Sequence, residues 1–223
     1  VGRPMLVVAV TLAILAPAAA QPLVRDRDRA EFDSAFVAYE AGRLAAALDA
    51  FTRLAERGDR LAQYNVAIIR LREESVATPL PVALGYLRAS AKAGFPLAQY
   101  LLGTLHETGR HVPRSQRDAL DWFQRAAEQG LVDAQLATGT QYYLGRGTTK
   151  DYAQAARWYE RAADGGDVAA QYLVASMYEE GLGVPRDLRA ALQWYTAAAR
   201  QGDPAAQLKA RVVADRLSTE RDS

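Results

Sequence analysis

His106 and His111 are the two histidines of the chain, and with Glu107 beside the first they form the stretch that most invites a metal ion. A zinc-protease helix needs its two histidines four residues apart, so that both imidazoles share one face while the glutamate acts as base. Here the separation is five and Gly109 intervenes. The geometry fails, and neither a metal nor a cofactor is assigned. Gly145-Arg146-Gly147 and Gly181-Leu182-Gly183 resemble phosphate-cradling glycines, but a dinucleotide fingerprint follows a strand. These glycines follow helical patterns and recur at a fixed spacing. Glu179 with Glu180, and Asp164 with Asp167, are the candidate acid–base pairs. Their places at helix ends and turns point instead to solvated carboxylates. No G-x-S-x-G elbow, phosphate-binding lysine loop or kinase signature is present. With no cysteine, the chain has no disulfide, thiolate metal site, cysteine nucleophile or lipoprotein anchor. Catalysis is not expected.

The bulk composition narrows the classes further. Of 223 residues, half are apolar and 24% are charged, a balance that suits a folded protein and argues against wholesale disorder. Lysine and arginine total 27 against 26 acidic residues, for a net charge of +1. A dedicated nucleic-acid binder normally shows its basic footprint in that sum, so no nucleic-acid partner is expected. The alternation Arg-Asp-Arg-Asp-Arg-Ala-Glu at 25–31 reads as a solvated entry segment.

The N-terminus carries an address. Arg3 is followed by the apolar run Met5–Ala16, then Pro17 and Ala18-Ala19-Ala20 ahead of Gln21. A short basic lead, an apolar run and small residues at a cleavage point make a secretory signal. The run is too short for a bilayer core of roughly 20 residues. Residues 1–20 are therefore expected to be removed, giving a mature chain from Gln21 in the periplasm or outside the cell, with no stable membrane anchor.

The elements that organise the remainder repeat. Ala-Gln occurs at 62–63, 98–99, 134–135, 170–171 and 206–207, always 36 residues apart. Gly58, Gly94, Gly130, Gly166 and Gly202 keep the same step, as do Ala47, Ala83, Ala119, Ala155 and Ala191. Pairs of large side chains recur in register at Tyr86-Leu87, Trp122-Phe123, Trp158-Tyr159 and Trp194-Tyr195. Such a period marks a repeat architecture. Within each unit Ala170, Val174 and Tyr178 are four apart, one apolar helical stripe. Gly181 and Gly183 end that helix. Asp187 stands where the next needs an N-cap, and Ala191, Trp194, Tyr195 and Ala198 give its buried face. Two helices per unit and no strand alternation define an all-α chain. The repeats fall at 59–94, 95–130, 131–166 and 167–202, preceded by a hairpin at 21–58 and followed by a last helix over 204–217 and a frayed tail within 203–223.

A helical wheel for 168–181 places Leu173, Ser176 and Glu180 opposite the core stripe, with Tyr172 at the edge. Steps of 36 carry that row to Tyr64, Asn65 and Ile68, to Tyr100, Leu101 and Thr104, to Leu136 and Thr140, and to Leu208. Tyr and Leu in an outward row mark an interaction surface. The row is thus the candidate partner-binding site, with Asn65 and Thr104 bonding the partner's backbone. The competing account has Tyr64, Tyr100 and Tyr172 wedged between hairpins.

The run from Ala169 to Gly202 closely resembles the Sel1-like repeat family, with Ala170, Val174, Ala175, Tyr178, Gly181, Gly183, Val184, Asp187, Ala191, Trp194, Tyr195, Ala198, Ala199 and Gly202 on the family pattern. The unit ending at Gly166 also matches well. The unit ending at Gly130 departs from it, with His106 for the tyrosine, His111 for the second loop glycine and Ser115 for the aspartate. The unit over 60–94 lacks both loop glycines, and the hairpin at 21–58, with its tight turn at Gly42, is more similar to a tetratricopeptide hairpin. Some resemblance covers about 185 residues and is strong over about 110. It implies an α-solenoid of about five stacked antiparallel hairpins plus a C-terminal capping helix, and an adaptor or scaffold that binds a protein or peptide on the concave side, in envelope assembly or signalling. Relatives that inhibit a sensor kinase in the periplasm supply one alternative. Cysteine-rich relatives with β-lactamase-like activity supply another, although the paired cysteines of that group are absent here.

Overall fold

The computed structural model describes residues 26–72 and 79–222. The signal segment expected at 1–20, and most of the divergent loop between Glu73 and Pro81, lie outside the described residues. The described chain is all helical, with no strand, and its helices stack as antiparallel hairpins in an α-solenoid architecture. It divides into two compact units, 1–98 and 99–223.

In the first unit a single 3-10 turn, Asp26–Asp28, leads into α1 (Arg29–Glu40), followed by α2 (Leu44–Glu56), α3 (Arg60–Arg72) and α4 (Leu80–Lys92). Each helix packs on the next. Gly42, at φ 72°, turns α1 into α2, a left-handed conformation that glycine adopts without penalty. Phe32 meets Phe51 edge-on at 5.3 Å, and Tyr64 meets Phe95 at 5.1 Å. The acidic residues of the entry segment are not simply solvated. Asp28 is buried and pairs with Arg57 at 3.2 Å, while Glu31 takes Arg53 at 2.9 Å and is also bonded by Arg57. Those hydrogen bonds from Arg57 and Arg53 hold the Glu31 carboxyl below its ordinary range. Arg53 in the last turn of α2 and Arg57 just beyond its end therefore clamp the start of α1.

Helix α5 (Pro96–Thr108) crosses the division, and the second unit continues with α6 (Gln116–Glu128), α7 (Val132–Leu144), α8 (Tyr152–Asp164), α9 (Val168–Glu180), α10 (Leu188–Arg200) and α11 (Pro204–Asp222). Ser115, Asp151 and Asp187 cap α6, α8 and α10 through the amides of Asp118, Gln154 and Ala190, satisfying donors a helix start leaves open. The alanine of every Ala-Gln pair is fully buried, which lets neighbouring helices approach closely. In α7 and α9 the partner glutamine, Gln135 or Gln171, donates to the carbonyl of Ala127 or Ala163 at the end of the preceding helix. Ring-to-backbone packing explains the small residues in mid-helix. A Cβ on Gly103 would lie 2.5 Å from the Phe123 ring, and one on Gly139 would lie 2.7 Å from Tyr159.

Within the Trp158-Tyr159 pair, Tyr159 is the ring that packs with Ala155 and Ala162, and Trp158 lies in a different cluster. It fills the space between Ala126, Ala127 and Ala134, on α6 and α7. The second residue of each aromatic pair is thus the core residue of its own hairpin, while Trp158 reaches the previous one. The last helix does not end at 217. It runs to Asp222, since no glycine interrupts it after Gly202.

Candidate functional site

The first helices of the second unit, α5, α7 and α9, present the row read from the sequence. It is half-buried rather than open. Tyr100 tilts against Phe123 at 5.6 Å, and Tyr172 meets Tyr195 edge-on at 5.3 Å. Leu136 and Leu173 pack at the margin of the Ala155–Tyr159 core. These tyrosines are the wedges that join a first helix to the second helix of its hairpin. Burial is the main cause, with the charges of Asp133 and Glu107, that raises the Tyr100 phenol above its ordinary value.

The hydroxyls of the row are already engaged. Thr104 Oγ1 donates to the Tyr100 carbonyl at 3.1 Å. Thr140 Oγ1 donates to the Leu136 carbonyl at 2.9 Å and accepts the Tyr159 hydroxyl at 3.2 Å. Ser176 donates to the Tyr195 hydroxyl oxygen, whose own proton goes to Glu179. Thr104 therefore gives its proton to its own helix and keeps its oxygen as an acceptor. The remaining contact surface comes from Leu101 and Leu173, half-buried, from Leu208 at 65% exposed, and from one leucine that the wheel did not rank, Leu144 at 40%. Leu144 occupies the position of Glu180 in the next repeat, which the wheel had placed on the far side. That was the signal available for it.

In the first unit the row is not a surface at all. Tyr64, Asn65 and Ile68 are buried, within an unbroken buried stretch from Tyr64 to Ile69. Val66, Ala67 and Ile69 beside them are buried too, as are Val174, Ala175 and Met177 at the same places in α9. Asn65 Oδ1 has no hydrogen-bond partner among the described residues.

Hydrogen bonds repeat on the second helices too. Gln124 donates to the Tyr142 hydroxyl at 2.8 Å, and one repeat on the Tyr178 hydroxyl donates to Glu160 at 2.6 Å. That bond to Glu160 pushes the Tyr178 phenol up to about 12. Arg125 and Arg161 stack over the rings of Trp122 and Trp158.

Of the carboxylates weighed for acid–base chemistry, Asp164 is exposed and Asp167 caps α9 through the Ala170 amide. Glu179 departs from the solvated role expected for it. It is 7% exposed and accepts from Tyr195 Oη at 2.9 Å, Lys209 Nζ at 2.9 Å and Arg216 Nη1 at 3.0 Å. Burial alone would raise its pKa. The hydrogen bonds from Lys209 and Tyr195, with the charges of Lys209 and Arg216, outweigh that and hold it below the ordinary value. The arrangement ties α9 and α10 to α11 and leaves no free base. His106 sits against the Pro113 carbonyl, and His111 holds the loop position at φ 65°. Among the described residues no three metal-ligating side chains cluster.

Residues 96–131, 132–167 and 168–203 match the family model of the Sel1 repeat. The chain is a Sel1-repeat protein, carrying three such repeats in tandem. It is similar to the crystal structure of a protective antigen from uropathogenic Escherichia coli strains with an SLR fold, at 33% identity and TM-score 0.75, over 82% of this chain and 40% of the antigen. The chain thus spans less than half the length of that relative. A Sel1 repeat protein from Oxalobacter formigenes matches at 29% identity and TM-score 0.74, over 79% of this chain and 73% of that one. None of the curated proteins matches significantly. Sel1-repeat proteins generally mediate protein–protein interaction, as non-enzymatic scaffolds.

Proposed function

We propose that this chain is an exported adaptor that binds a protein or peptide partner along the first-helix face of its Sel1 repeats. The observation that supports this reading is the row itself: Leu101, Leu144 and Leu173, with the edges of Tyr100, Leu136 and Tyr172, leave apolar surface at successive repeats where a purely solvated face would carry charge. Repeat stacking fixes such a row at regular intervals, so that an extended or helical segment meets several repeats at once. Export rests on the apolar run at 5–16 and the alanines at 18–20, and terminal sequencing of exported material should begin at Gln21.

A photo-crosslinking residue at Leu101, Leu144 or Leu173 should trap one common partner in cells, whereas one at Arg157 or Gln193, exposed on second helices, should not. Leu101→Asp with Leu173→Asp should lower partner capture at least tenfold, about 1.4 kcal/mol, in a protein that still melts cooperatively. Capture only from Arg157 or Gln193 would move the binding face to the second helices.

A further inference from the structure

The loop after α9 is seated on the helix before it. Gly183 lies so close to the start of α8 that a Cβ there would come within 2.2 Å of the Tyr152 backbone. Leu182 and Val184, on either side, pack against the Ala155–Tyr159 core together with Tyr152. One repeat earlier, Gly147 sits on the Gln116 backbone in the same way. A loop glycine thus seats on the first turn of a second helix in both repeats, flanked by Arg146 and Thr148 in one and by the apolar pair Leu182 and Val184 in the other.

Thirty-six residues on from Tyr152 stands Leu188, the first residue of α10. There α11 continues as straight helix through Leu217, the counterpart of Gly181. An open hollow of about 690 Å³ lies between the start of α10 and α11, floored by Leu188, Leu192 and Leu217. Its mouth carries Arg186 and Arg189. The Asp187 carboxylate at the same edge is consumed in capping α10, accepting the amides of Arg189 and Ala190 at 2.9 and 3.1 Å. Arg186 Nε is tied to the Glu179 carbonyl at 3.2 Å, and the Arg189 guanidinium makes no hydrogen bond or ion pair among the described residues. The rim is therefore positive.

We infer that this hollow binds an extended apolar–glycine–apolar segment of a partner protein with an acidic residue beside it, seated on Leu188 as Leu182-Gly183-Val184 is seated on Tyr152. The glycine allows backbone-to-backbone approach, the apolar neighbours cover Leu192 and Leu217, and the carboxylate meets Arg189. The site shares no residue with the first-helix row, so the two stand or fall separately.

The test is titration of the isotope-labelled mature protein with the synthetic peptide acetyl-Glu-Leu-Gly-Val-Pro-amide and with a twin carrying alanine for the glycine. The first should cause saturable amide shifts confined to 186–192 and 214–218. The alanine twin should bind about tenfold more weakly, since the added methyl meets backbone on both sides. Arg189→Ala, an exposed change that leaves the fold alone, should weaken the first peptide severalfold. Leu217→Asp should abolish the shifts while the far-ultraviolet spectrum is kept. Absence of saturation, equal binding of the two peptides, or shifts centred on Leu101 and Leu173 would each overturn the assignment.

Discussion

Helices α3 and α9 occupy the same place in the repeat, three periods apart, and use it in opposite ways. Tyr64, Asn65 and Ile68 of α3 are buried, whereas Tyr172, Leu173 and Ser176 of α9 keep part of their surface. Both tyrosines make the same kind of edge-on contact, with Phe95 in one unit and Tyr195 in the other. The flanks are alike: Val66, Ala67 and Ile69 of α3 answer to Val174, Ala175 and Met177 of α9, all buried, and what differs is the row itself, Asn65 and Ile68 against Leu173 and Ser176. Register therefore fixes the direction in which a side chain leaves the helix. Whether water meets it depends on neighbours the period does not constrain.

Matched substitutions test that difference most sharply. Tyr64→Ala should cost about 3–5 kcal/mol, the range for deleting a packed aromatic, and Tyr172→Ala only about 1–2 kcal/mol. Both are read from urea unfolding of the mature protein, and equal costs would show that α9 is as closed as α3. The last turns differ next. Glu179→Gln should cost about 2–3 kcal/mol, because charged hydrogen bonds to Lys209 and Arg216 are lost. The pH dependence has a definite sign. The folded carboxyl titrates below its ordinary 4.5, so its stabilisation is complete above that value and is lost as pH falls through the lowered one. The gap between wild type and Glu179→Gln should accordingly close in acid, and a gap that widened there would reverse the assignment. Asn65→Leu, which removes a buried oxygen lacking a partner, should leave stability unchanged or raise it by about 1 kcal/mol, with thermal melting as the check. The smallest effect belongs to Leu208, the counterpart of Tyr172 on α11. At 65% exposed, its change to Gln should move stability by no more than about 0.5 kcal/mol.

What could be read in the sequence was whatever each repeat does for itself. The Ala-Gln pairs show because a small residue recurs at every crossing, with a carbonyl-seeking amide beside it at Gln63, Gln135 and Gln171. The cap at Asp187 shows for the same reason. The clamp of Arg53 and Arg57 on Glu31 and Asp28 did not show, because its acids precede the first repeat. Nor did the burial of Glu179, whose cations, Lys209 and Arg216, stand on a helix that follows the last complete one. The outward row was legible as a direction. The bond from Thr104 to the Tyr100 carbonyl was not, because an intrahelical bond leaves no mark on spacing.

The seating of Gly147 and Gly183 on the main chain of Gln116 and Tyr152 bears on how such a protein can grow. A contact that involves no side chain on the receiving helix asks nothing of the residue type found there. A gene segment encoding one 36-residue unit, duplicated or deleted in frame between Gly166 and Asp167, would bring its own glycine to whichever backbone it met. Length can then change in whole units without compensating substitutions elsewhere, whereas an insertion of any other size would carry the glycine off its seat and break the stack at that point.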